Sequence, residues 1–355
     1  MDYVGRRSAV LSLVRDGGAD RLLVTNPAEV RYLSGFAGST AVLLVAERSR
    51  LFVDFRYREQ ASAQVAGVEV RSDSQPATLW TDVLGALEGE PGSLAIDPQR
   101  TTAAQYLDLA GRGRAPVPLR GVVDRLRSRK DAEEIALLRQ AHGYADAVAE
   151  EVIGELRVGM SERLVAGMVE LIERRLGAEK SAVDVLVGSG PRSSLPHSAP
   201  TARELAPGDP VVMDISPTAG GYRSDLTRTV HIGPATPRFR EIYNVVLCAL
   251  EAAERSIRPG LTGREADALA RDVITGAGYG DNFQHSLGHS IGLDQHEWPR
   301  VSPHDGVLLE EGMVLAVEPA IYVPGFGGVR IEDVVLLTGD GCEVLTQCPR
   351  TLIEI

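Results

Sequence analysis

The chain has 355 residues, long enough to predict two domains, either of which can bury an adequate core. Acidic side chains outnumber basic ones by 49 to 37, the formal net charge is -12, and no useful Lys/Arg cluster interrupts the balance. Nucleic acid and anionic membrane are therefore excluded as partners, and a small substrate is favoured. No apolar run reaches membrane-spanning length, and residues 1–21 lack the apolar core and cleavage site of a signal peptide. A cytoplasmic protein is expected.

In chain order, short β-type runs (RLLVT, TAVLLVA, RLFVDF, SLAID) alternate with helix-like stretches at 56–65, 77–87 and 102–110, which is an α/β pattern. The segment RGVVDRLRSRKDAEEIALLRQA then reads as a charged linker opening an amphipathic helix. It divides the chain into an α/β domain, 1–125, and a second domain, 126–355.

The second domain is written twice. VGMSERLVAGMVELIERRLGAE and PGLTGREADALARDVITGAG each run from a glycine turn through a hydroxyl N-cap into a helix, and Thr262 with Glu265 has capping-box spacing. ELAPGDPVVMD and LLEEGMVLAVE continue the likeness, because Gly208 to Asp214 and Gly312 to Glu318 are both six apart. Asp214 and Asp225 are eleven apart, joined through PTAGGY; Glu318 and Glu332 are fourteen apart, joined through VPGFGG. Turn residues in both connections predict hairpins whose strands carry the acids within cross-strand reach. If the halves pack about a pseudo-twofold axis, all four carboxylates meet at its centre.

Charges inside apolar or β-prone runs are costly unless something pairs with them. Asp214, Asp225, Glu318, Glu332 and His289 in SLGHSIGL are five such residues. Singly, each has a bland explanation: a strand-end acid, a turn cap, an ion pair with Arg330, a satisfied core histidine. Together they point to a pair of divalent metals, held roughly 3.5–4 Å apart by four carboxylates as in two-metal hydrolytic sites. One imidazole donor shifts the preference from magnesium and calcium towards manganese, cobalt, zinc or iron. Cys248, Cys342 and Cys348 lack metal or disulfide spacing, and all three are read as packed, reduced thiols.

The stretches SSLPHSAPT, VVMDISPTAGGYRSDLTRTV, FQHSLGHSIGLDQHEWPR, GMVLAVEPAIYV and GGVRIEDVVLLT, in this order, resemble the pita-bread-fold metallopeptidases of the aminopeptidase P and prolidase (Xaa-Pro dipeptidase) branch. NPAEVRYLSGFAGS and LFVDFRYREQA extend the resemblance to the first domain. It implies an α/β (α+β) fold: a creatinase-like N-terminal α/β domain, and a pita-bread domain with an internal pseudo-twofold repeat and a curved antiparallel sheet.

The resemblance also implies that Asp214, Asp225, His289, Glu318 and Glu332 are the metal ligands, none of them missing. His197 matches the histidine that steadies the scissile carbonyl, His296 one that lines the substrate cleft, and Arg330 an arginine beside the metals or the substrate. Glu318 is the candidate proton shuttle. His285 is read as supporting or structural, Arg300 as a possible recipient of a peptide carboxylate, and His142, His231 and His304 as structural or exposed. The implied activity is hydrolysis of Xaa-Pro bonds in small proline-containing peptides by a homodimer, its first domain closing the pocket through residues 35–40 or 54–57. The compact first domain favours a dipeptidase over an aminopeptidase P acting on longer peptides. A methionine-aminopeptidase-like activity, a metal-free creatinase-like or binding protein on the same fold, and a di-metal phosphohydrolase are the alternatives.

Overall fold

Each apolar run of the first unit becomes a strand buried on both faces, because helices cover the sheet they form. In the computed structural model, which describes residues 1–113 and 115–355, the strands are β1 Arg21–Val24, β2 Val42–Val45, β3 Arg50–Asp54, β4 Glu69–Ser74, β5 Leu94–Ile96 and β6 Val117–Pro118. They form one mixed sheet in the order β4-β3-β2-β1-β5-β6. Its core includes Leu23, Leu44, Phe52, Val83, Ile96 and Leu109.

The chain divides into Met1–Arg127 and Ser128–Ile355. The segment read as a linker around Leu126 is largely helical, Val122–Ser128, and Asp131 starts the next helix, Ala132–Glu155. Asp131 accepts from the Glu134 N–H and Glu134 reaches back to the Asp131 N–H, a capping box whose carboxylates also favour the positive helix start.

In the second unit each half has its own helices, its own sheet and its own core. The first half packs helices Ala132–Glu155 and Glu162–Leu176 on a sheet of β7 Leu186–Ser189, β8 Pro210–Ile215 and β11 Leu226–His231, with a side hairpin of β9 Thr218–Ala219 and β10 Tyr222–Arg223. The second half packs Pro237–Ser256 and Gly263–Gly276 on β12 Gly288–Ser290, β13 Glu297–Val301, β14 Val314–Val317, β17 Asp333–Leu337 and β18 Cys342–Val344. Its side hairpin is β15 Ala320–Val323 with β16 Gly327–Arg330. All pairings in this unit's named strands are antiparallel.

The two halves start their helices alike: Ser161 caps Glu162–Leu176, and Thr262 with Glu265 forms a capping box on Gly263–Gly276. Separate cores, one around Val152, Val169 and Val211 and one around Val246, Ala270 and Leu315, match the written-twice sequence.

The side hairpins correct one expectation. Asp214 lies within β8, but Asp225 precedes β11, Glu318 follows β14 and Glu332 precedes β17. The turn residues between the acids serve the small hairpins: Gly220 and Gly221 take φ of 55° and 79°, the left-handed pair a two-residue turn needs. Three acids therefore stand where a main strand gives way to a side hairpin. There the ladder opens and a side chain can turn towards a cavity.

Candidate metal centre

His289 is placed by close backbone approach. Beside it, Gly288 lies so tight against β14 that a Cβ there would stand 1.9 Å from the Ala316 carbonyl oxygen. A register shift between His289 and Ser290 against β13 ends regular pairing at this point. The His289 Nδ1 lies 3.1 Å from the Ser290 carbonyl, so it carries the proton and leaves Nε2 as a lone-pair donor. Burial drives the imidazole down to about 3, so it stays neutral.

That Nε2 lies 3.5 Å from Asp225 Oδ2 and 3.6 Å from Glu318 Oε1. Donor atoms of Asp225, His289 and Glu332, all buried, lie within 4.8 Å of one another. Asp214 completes the ring, one oxygen taking Arg330 Nη2 at 2.6 Å and the other buried with no hydrogen-bond partner. All five line a cavity of about 420 Å³.

Burial first, then the Asp214 and Glu318 charges, raises Asp225 well above the usual carboxylate range. Glu332 is raised likewise by burial and by Asp225, Glu318 and Asp214. Burial also lifts Glu318 to about 7 against the opposing pull of Arg330. Four carboxylates crowded beside the buried Arg330 guanidinium, with Arg300 exposed on the cavity wall, cannot all ionise cheaply where they are shielded from water. A group of oxygen donors in excess of positive charge, one unpartnered buried oxygen and one neutral imidazole is the donor set of a borderline divalent cation.

The remaining predicted residues surround this ring. His197 is exposed on the wall of the same cavity, and the His296 ring stands edge-on to His289 with centroids 4.3 Å apart. Arg330 ties the two halves together: besides Asp214 it donates to the Thr227 hydroxyl at 2.9 Å, the Tyr322 hydroxyl at 3.0 Å and the Pro196 carbonyl at 2.9 Å. Its ion-pair partner is thus Asp214 and not Glu332. Arg300 also lines the cavity.

His285 sits on no helix, which removes any reading of it as a helical metal-binding pair with His289. It lines the cavity between the Phe283 and Tyr322 rings, its Nε2 buried without a partner and its pKa brought down to about 4 by burial. His142 and His231 are buried outside the cavity, and His304 is exposed. Cys248 is exposed, so its reading as a packed thiol is corrected: it falls on the outer face of Pro237–Ser256, away from the stripe that fills the core.

Two supports escaped sequence reasoning. Thr227 joins Glu332 to Arg330 through its hydroxyl, yet in DLTRTV it reads as any β-branched strand residue. Glu162 accepts from the Ser189 and Thr201 N–H groups, from both their hydroxyls and from Arg192 Nε, so it clamps the loop that carries His197. Its place just after Ser161 disguised it as a helix-start acid.

The fold and this donor ring are those of a metallopeptidase. Residues 136–339 match the model of metallopeptidase family M24 and residues 6–129 that of the creatinase/prolidase N-terminal domain. The chain belongs to metallopeptidase family M24. It is 44% identical to a Xaa-Pro dipeptidase of Pyrococcus horikoshii over 99% of this chain and 100% of that one. Its structure is similar to a Xaa-Pro dipeptidase from Bacillus anthracis, with a TM-score of 0.95, 38% identity and coverage of 99% and 100%. An X-Pro aminopeptidase from Thermotoga maritima aligns with a TM-score of 0.90, 34% identity and coverage of 98% and 99%.

Proposed function

We propose that this protein is a Xaa-Pro dipeptidase, a metal-dependent exopeptidase that hydrolyses the bond before proline in small peptides. The observation carrying this reading is the convergence of Asp214, Asp225, His289, Glu318 and Glu332 on one cavity that His197, His296 and Arg330 also line. Its support in proline chemistry comes from relatives named for Xaa-Pro cleavage.

Asp214, Asp225, His289, Glu318 and Glu332 would hold two divalent ions, with manganese, cobalt and zinc the candidates. When bound, such ions supply activation of water and Lewis-acid polarisation of the scissile carbonyl. The chain's own residues do the rest. His197 donates to the carbonyl oxygen as negative charge develops there. Glu318 takes a proton from the attacking water and returns it to the leaving imino nitrogen. His296 flanks the peptide, and Arg330 fixes Asp214 so that its second oxygen stays aimed into the cavity. Arg300 receives the carboxylate of the departing proline.

A specific observation keeps aminopeptidase P activity as a second reading. Chain length does not choose between the two, because the Thermotoga X-Pro aminopeptidase is matched over 99% of its own length. A cytoplasmic homodimer, with the first domain serving dimerisation and pocket closure, belongs to the same proposal. Hydrolysis of a Xaa-Pro dipeptide and a Xaa-Pro tripeptide, each with manganese, cobalt or zinc, tests the reading. Cleavage of the tripeptide alone would transfer the assignment to aminopeptidase P, and cleavage of neither would reject both.

A further inference from the structure

Two charged groups on the cavity wall have no ion-pair partner within the protein among the described residues. Arg330 is committed to Asp214, and four of the carboxylates form the donor ring. Arg223, just outside, spends its guanidinium on the Leu293 and Ala182 carbonyls. Asp184 and Arg300 remain: both are exposed on the cavity wall, and neither side chain enters an ion pair among the described residues.

These two groups belong to opposite halves of the repeat. Arg300 is the register partner of His289 at the β12–β13 pairing. Asp184 lies two residues ahead of Leu186, which is the register partner of Asp214 at the β7–β8 pairing. A dipeptide whose carboxylate goes to Arg300 therefore turns its first residue towards the Asp184 half. The wall on that side offers apolar surface before it offers charge: Val183 is 39% exposed, and Leu186 lines the cavity with it. An aliphatic stem that ends in a cation fits such a surface, the stem on the apolar wall and the head in solvent beside the carboxylate.

We propose that Asp184 is a specificity-determining residue that selects a basic side chain, lysine or arginine, in the residue before proline. The assignment rests on the dipeptidase reading and deepens it. Acidic first residues are disfavoured by the same carboxylate, so the preferred substrates are Lys-Pro and Arg-Pro and the poorest are Asp-Pro and Glu-Pro.

The test compares kcat/KM for Lys-Pro, Leu-Pro and Glu-Pro in the metal-loaded protein, in Asp184→Asn and in Asp184→Lys. Exposed ion pairs are worth about 0.2–1 kcal/mol, so the Lys-Pro to Leu-Pro ratio should fall by about 1.4- to fivefold in Asp184→Asn. It should invert in Asp184→Lys, with Glu-Pro gaining. The wild-type preference for Lys-Pro should also shrink as salt rises. An unaltered ratio would overturn the proposal. So would an equal loss on all three dipeptides, which would assign the carboxylate to the substrate's α-ammonium. Absence of any dipeptide hydrolysis in the wild type would instead bring down the dipeptidase reading itself, and a distinct wild-type turnover with an unaltered ratio would bring down only the role of Asp184.

Discussion

Thr227 and Glu332 hold each other twice: the Thr227 hydroxyl donates to Glu332 Oε2 at 2.6 Å, and the Glu332 N–H donates to the Thr227 carbonyl at 3.1 Å. One residue belongs to the first half of the repeat and the other to the second, so this pair sets how far apart the two sets of carboxylates stand. The same hydroxyl accepts from Arg330, which holds Asp214. Thr227→Val preserves shape while leaving Glu332 Oε2 and Arg330 Nε without this partner. Partners of metal ligands typically contribute ten- to hundredfold in affinity, so metal affinity should fall by about that factor. Titration against a chelating competitor measures it; an affinity equal to wild type would remove Thr227 from the role.

Much of this centre was legible because burial makes charge conspicuous. Acids in PVVMDIS, MVLAVEPAIYV and GVRIEDVVLL stand against apolar neighbours, and the equal spacing from Gly208 and Gly312 exposed the repeat. The side hairpins were less legible. A two-strand ribbon such as β9–β10 is too short for an alternation pattern, so its turn residues were assigned to the larger hairpins. Pairings across long sequence separation were illegible for a different reason. Nothing in Arg330 itself says that its carboxylate partner is Asp214, 116 residues earlier, and not its near neighbour Glu332. Only the packing of the two halves decides it.

Glu162 gives a prediction that separates positioning from metal binding. Its two oxygens gather five donors from Ser189, Arg192 and Thr201, while Arg192 also donates to the Ser198 hydroxyl at 3.1 Å and the Ala199 carbonyl at 2.7 Å. Glu162→Gln turns one acceptor into a donor facing donors. The His197 loop should loosen, with kcat falling by about ten- to hundredfold. Bound metal should stay at wild-type level, and tryptic cleavage after Arg192 should become faster. Loss of metal along with activity would mean that Glu162 supports the whole unit and not the loop.

Removal of metal should act on stability through the crowded carboxylates. A ligand that binds only the folded state at a thousandfold excess over its Kd adds about 4 kcal/mol. For a unit of this size that corresponds to a melting shift of roughly 10 °C. Calorimetry of Ser128–Ile355 unfolding, within the full chain, should show this drop on chelation. Asp225→Ala should abolish both the shift and the turnover, whereas His197→Ala should keep the shift and lose turnover. Full activity in Asp225→Ala would refute the centre as assigned.

Glu29 and His142 should contribute to stability with opposite pH dependence. Burial, with Asp124 and Asp97 nearby, raises Glu29 to about 7 despite Arg127 and Arg100. A carboxyl raised on folding favours the folded state when protonated, so its contribution is fully present below the ordinary value of 4.5 and is lost as pH rises through about 7. The size is roughly 3 kcal/mol, and Glu29→Gln should remove the dependence from the Met1–Arg127 transition. In the second unit burial lowers His142 to about 4, its Nδ1 donating to the Leu138 carbonyl at 2.7 Å and its Nε2 buried without a partner. Its contribution is present above 6.5 and lost as pH falls towards about 4. Unfolding followed between pH 4 and 8 should therefore show the first unit weakening towards the alkaline end, whereas in the second unit the raised Asp225, Glu318 and Glu332 oppose His142, so His142→Asn is needed to isolate its acid-side contribution. A Glu29→Gln transition as steeply pH-dependent as the wild type would show that another group sets the first unit's response.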